Sequence, residues 1–104
     1  AESARALGIL ADVQGNYPKS LYFTQVAAGM GLLTSMISLE GVFRVGEYGY
    51  KKDEELADVY DKLFDLLDEN ESLTFPDLAK RHPLPSHPTM GRYNPETDQN
   101  EMPE

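Results

Sequence analysis

His82 and His87 are the chain's two imidazoles, five residues apart in a run broken by prolines. Imidazole is the side chain best suited to moving a proton near neutrality or binding a transition metal. A metal site needs further ligands converging on one point, and none is evident, so both are expected to be solvated and no metal site is expected. The acidic residues between positions 53 and 69 could supply carboxylate pairs for general acid–base chemistry, but such a pair needs a pocket to shift its pKa values. A single solvated helix offers none. Serines and threonines occur without the spacing of a nucleophile elbow or a phosphate-binding loop. The absence of cysteine excludes disulfides, thiolate zinc sites, iron–sulfur ligation and a cysteine nucleophile. No catalytic residue and no cofactor are assigned, and the chain is not expected to be an enzyme.

One stretch has a motif-like arrangement. Phe64 to Leu78 resembles the end of an EF-hand helix, its oxygen-rich loop and the start of the next helix. That resemblance implies Asp68, Asn70 and Ser72 as the first ligands of a calcium ion and Asp77 as the closing acid. The loop departs from the pattern: its glycine is missing, it is two residues short, and there is no paired second hand. A plain helix–loop–helix with Asn70 ending the first helix is expected.

These residues need elements to position them. Asp53 is a good N-cap, and Glu54 and Glu55 suit the positive end of a helix. Leu56, Val59, Tyr60, Leu63, Phe64 and Leu67 recur at spacings of three and four, which predicts an acidic amphipathic helix from about 53 to 69. Its apolar stripe is the expected docking face for another subunit. Thr74 to Asp77 forms a capping-box variant with Pro76 in the first turn, predicting a short helix over 75–81. Pro83, Pro85, Pro88 and Pro95 then predict an extended tail over 82–104 without regular structure. Before all this, Ser3 can cap a short helix through Val13 that ends at Gly15-Asn16. There is no internal repeat.

The central stretch dominates the hydropathy. Twenty consecutive residues between Lys19 and Glu40 carry no formal charge. Tyr22 to Phe43 as one helix would be about 33 Å long, close to the roughly 30 Å of a bilayer's hydrocarbon core. Aromatic residues flank both ends, as in an interfacial belt. Thr24, Ala27, Ala28, Gly31, Thr34, Ser35 and Ser38 fall on one helical face, a small-residue side that lets two helix backbones approach closely in a membrane.

The expected architecture is therefore all-α: a lead-in helix (1–16), one transmembrane helix (17–45), an acidic helix–loop–helix (46–81) and an extended proline-rich tail (82–104). Residues 1–50 carry three basic and four acidic side chains and residues 51–104 six and fourteen, so the second half holds most of the net charge of −9. Such an acidic half repels nucleic-acid phosphate and attracts basic protein surfaces. In architecture the chain resembles supernumerary subunits of mitochondrial or chloroplast energy-transducing complexes. That resemblance implies a non-catalytic, single-span accessory subunit acting in assembly or stability of a respiratory-chain or similar electron-transport complex. Its partners would be other subunits of the membrane complex and the lipid bilayer, with no nucleic acid, in an organellar inner membrane, mitochondrial rather than thylakoid. The alternative is a soluble acidic helical adaptor with a degenerate EF-hand-like segment.

Overall fold

The computed structural model describes residues 2–102 as α1 (Glu2–Val13), α2 (Tyr17–Gly29), α3 (Leu33–Val45), a 3₁₀ turn (Glu47–Gly49), α4 (Glu54–Glu69), α5 (Leu78–Arg81), β1 (Arg92–Asn94) and β2 (Gln99–Glu101). The helices form two successive pairs, α1 against α2 and α3 against α4, joined where α2 meets α3. Small residues set the first pair's separation. Ala4 and Ala11 are buried, and a Cβ on Gly8 would lie 3.2 Å from the Ser20 carbonyl oxygen and 3.2 Å from Thr24 Oγ1. The Ser20 hydroxyl donates to the Gly8 carbonyl at 2.9 Å across this contact.

The single span expected over 17–45 is not present. Two 13-residue helices, α2 and α3, replace it. Each is about 20 Å long, short of a bilayer's hydrocarbon core. No helix of the described residues is long and apolar enough to cross a membrane. The physical reason lies at Gly31, whose φ of +96° is open to glycine and strained for other residues. The chain turns there, and a later segment crosses the turn: the Phe75 N–H donates to the Gly29 carbonyl at 2.6 Å.

Once the stretch is folded back, its apolar residues pack on their own neighbours. Leu21, Ala28, Met36, Leu39, Val42 and Phe43 form the centre of the core with Tyr50, Ala57, Tyr60 and Leu78. Phe43, expected among the interfacial aromatics, lies edge-on to Tyr50 at 5.7 Å and stacks with Tyr60 at 6.2 Å. The acidic helix begins at the Asp53 cap, whose carboxylate accepts from the Leu56 N–H at 3.1 Å. Arg44 ties α3 to it, reaching Glu40 at 2.9 Å and Asp58 at 2.8 Å.

The extended tail over 82–104 is also corrected, as is the all-α class. Residues 92–94 and 99–101 pair as an antiparallel hairpin, Arg92 opposite Glu101 and Asn94 opposite Gln99, with His87 and Gly91 bridged just before it. Prolines exclude long regular structure, but Pro95 is tolerated in the hairpin's own turn. The hairpin is fastened to α2. Tyr93 packs on Tyr22 and Phe23, Lys19 pairs with Asp98 at 2.9 Å, and the Asn100 amide donates to Asn16 Oδ1 at 2.8 Å. Residues 103 and 104 of the expected tail lie outside the described residues.

Candidate functional site

A groove of about 490 Å³ lies between the first helical pair and α3. One wall is α1, with Arg5, Ile9 and Asp12; the floor is Gly8 with Ser20, Leu21 and Thr24 of α2. The opposite wall comes from α3, through Thr34, Ser35, Ile37, Ser38, Gly41 and Val42. Glu47 and Tyr48 of the 3₁₀ turn stand at one end. The groove exists because α1 and α3 both pack on α2 while hardly touching each other.

Tyr48 holds an unusual position. Its backbone is left-handed (φ +60°, ψ +22°), a conformation that costs a tyrosine about 1–3 kcal/mol. Two contacts hold it there: its ring stacks on Tyr17 at 4.7 Å, and its carbonyl accepts from His87 Nε2–H at 2.7 Å. His87 Nδ1 accepts from the Thr89 and Met90 N–H groups, each at 3.1 Å, which assigns the Nε2–H tautomer. Far from being solvated, His87 is 6% exposed and meets Tyr50 edge-on at 4.9 Å. The Tyr48 hydroxyl has its pKa raised by partial desolvation first, then by the negative charges of Asp12 and Glu47.

Four of the seven small-face residues, Thr24, Thr34, Ser35 and Ser38, line this groove. Ala27 and Ala28 are fully buried, and Gly31 forms the turn between α2 and α3. Of the stripe on α4, Tyr60 and Leu67 are fully buried within this chain. Leu56, Leu63 and Phe64 pack half-buried against the core, and Val59 is half-buried as well. Tyr60 and Gln25 form the core's polar centre. Gln25 Nε2 donates to Tyr60 Oη at 3.2 Å and to the His82 carbonyl at 2.9 Å.

The oxygen-rich loop after α4 is turned on itself: Asn70 Oδ1 accepts from both the Ser72 N–H at 3.2 Å and the Ser72 hydroxyl at 2.7 Å. Among the described residues no three His, Asp or Glu side chains converge as a metal site would require. Arg5, Ile9, Asp12, Glu47 and Tyr48 were not singled out as site residues by sequence reasoning. For Glu47 and Tyr48 a signal exists in the two tyrosines and two glycines over 44–50, which read as a hinge; for Arg5, Ile9 and Asp12 there is none.

No protein-family model and no curated protein sequence matches the chain. Solved structures do. The chain is similar to immunity protein PA5088 from Pseudomonas aeruginosa, with 35% identity and a TM-score of 0.80 over 86% of this chain and 37% of that one. It is similar to immunity protein PA5087 of the same organism at 33% identity and a TM-score of 0.80, covering 86% of this chain and 36% of that one. For PA5086, also of that organism, the identity is 31% and the TM-score 0.81, with the same coverage of 86% and 36%. The chain thus spans a little over a third of the length of these proteins.

These likenesses, with the lack of a spanning helix among the described residues, overturn the expectation of an accessory subunit in a respiratory-chain complex of an organellar inner membrane. The expected partners, membrane-complex subunits and the lipid bilayer, fall with it. The face read as packing in a membrane instead divides between the chain's own core and an open groove. Two of the solved neighbours are named for immunity rather than for a reaction.

Proposed function

We propose that the chain acts as an immunity protein, or as the recognition portion of one, and neutralises a toxin by binding it without chemistry of its own. The observation that carries this reading is the 35% identity and TM-score of 0.80 over 86% of the chain to an immunity protein. Two features support a binding role. The groove between α1 and α3 presents the Tyr48 ring with the exposed Ile9 and Ile37, and aromatic side chains are enriched where proteins meet. The net charge of −9 favours fast encounter with a basic partner surface.

The test is co-production in a bacterial host with each toxin countered by PA5087 and PA5088, and with any toxin encoded beside the chain's own gene. Restored growth, together with co-elution of chain and toxin on size exclusion, is the expected result. Failure of every such toxin to be neutralised or bound would overturn the reading.

A further inference from the structure

The groove's chemistry says what kind of partner segment it fits. Its charged lining residues are Arg5, Asp12 and Glu47. Among the described residues the ion pairs are Lys19–Asp98, Arg44 with Glu40 and Asp58, and Lys52–Glu54. Asp12 and Glu47 therefore make no ion pair among the described residues. Both act on the Tyr48 hydroxyl, so they flank the same end of the groove. Further along, Ile9 (52% exposed) and Ile37 (50% exposed) present branched side chains from opposite walls. Ser35 also lines the groove from α3 and is 5% exposed.

We propose that this groove is the docking site for a partner-protein segment that places an arginine or lysine between Asp12 and Glu47 against Tyr48, with an apolar side chain next to it between Ile9 and Ile37. This rests on the toxin-binding reading and names the surface that would carry it. The cation finds two carboxylates and an aromatic face held in place by Tyr17 and His87. Gly41, on the α3 wall, has open space where a side chain would stand, which leaves room for a peptide main chain. The outer face of α4, although acidic, lacks this combination: the hollow there is lined by Lys62, Asp65, Leu66 and Glu69 and offers no aromatic or hydroxyl group.

The full chain, labelled with ¹⁵N, is titrated with a short synthetic peptide of alternating arginine and leucine, and separately with its glutamate–leucine counterpart. The basic peptide is expected to shift the amides around Ile9, Asp12, Ser35, Ile37 and Tyr48, and the acidic one to leave them unchanged. The double substitution Asp12→Lys, Glu47→Lys is expected to weaken the basic peptide by about tenfold or more. Asp61→Lys on α4 should change its affinity by no more than about twofold. Ile37→Arg, at an exposed position, gives a second loss of binding, and thermal melting confirms that each variant is folded. Shifts centred on α4, equal binding of both peptides, or an unchanged affinity in the folded double variant would overturn the proposal.

The growth assay separates it from the reading beneath it. If the wild type protects and the folded double variant protects equally, the groove is wrong and the immunity reading stands. If the wild type never protects while the peptide maps to the groove, the immunity reading is wrong and the groove stands as a docking site.

Discussion

Truncating Tyr60 to alanine is expected to destabilise the fold by about 3–5 kcal/mol, the range for removing a fully buried aromatic ring. The ring is the largest of the completely buried side chains, stacks with Phe43 at 6.2 Å and touches elements from both helical pairs. Chemical denaturation of the variant should show a midpoint far below that of the wild type, or no folded baseline. Tyr60→Phe separates ring from hydroxyl, and it should cost only about 1 kcal/mol. Gln25 keeps its second acceptor, the His82 carbonyl. Tyr60 also carries a pH signature. Burial pushes its hydroxyl pKa up to about 12, against the opposing effect of the Gln25 hydrogen bond, and burial does the same to Tyr50. Below pH 10 both tyrosines are protonated whether the chain is folded or not, so their contribution is complete. Between about pH 10 and 12 the unfolded chain loses those protons first, and stability falls as pH rises. The decline in melting temperature over that window should be shallower in Tyr60→Phe. An equal decline would refute the assignment.

Gly31→Ala should destabilise the chain by about 2–3 kcal/mol, combining a strained backbone with a steric clash. The φ of +96° disfavours any L-residue, and a Cβ there would sit 2.7 Å from the Leu73 carbonyl oxygen, which is backbone and has little room to retreat. For a domain of this size that is a drop in melting temperature of roughly 10–15 °C. The sign is the informative part. Were residues 22–43 one continuous helix, the same change would stabilise it by about 1 kcal/mol, the ordinary preference of a helix for alanine over glycine. A rise in melting temperature would therefore restore the single-helix picture.

The difference between those two pictures shows where the sequence was legible. The helix at Glu54–Glu69 could be read because its start, its apolar period and its acidic outer face all agree locally. The break at Gly31 could not, because its cause is a segment more than forty residues later. Gly29 and Gly31 make room for Leu73 and Phe75 to cross, and nothing near position 30 announces that crossing. Hydropathy failed in the same place for a related reason. An uncharged stretch looks alike whether its apolar side chains meet lipid or the chain's own helices. The hairpin was missed because four prolines argue against regular structure, while a three-residue strand needs little of it. The groove was half legible. Thr24, Thr34, Ser35 and Ser38, read as one face of a single helix, line the groove from two helices, and Asp12 and Tyr48 join them only through the packing of α1 and the 3₁₀ turn.

The fastening of the hairpin to α2 has a consequence for the order in which the chain folds. Its contact between Asn16 and Asn100 spans 84 residues, among the longest loops a chain of this length can close. Loop-closure entropy grows only logarithmically with length, and the helices are built from nearer contacts that form first. The hairpin is then a clasp set late on a finished helical core, and the earliest part to lift off. Native-state hydrogen exchange should find the amides of Tyr93 and Asn100 opening at lower free energy than those of Phe43 and Tyr60. Equal opening free energies at the two places would mean that clasp and core form a single cooperative unit.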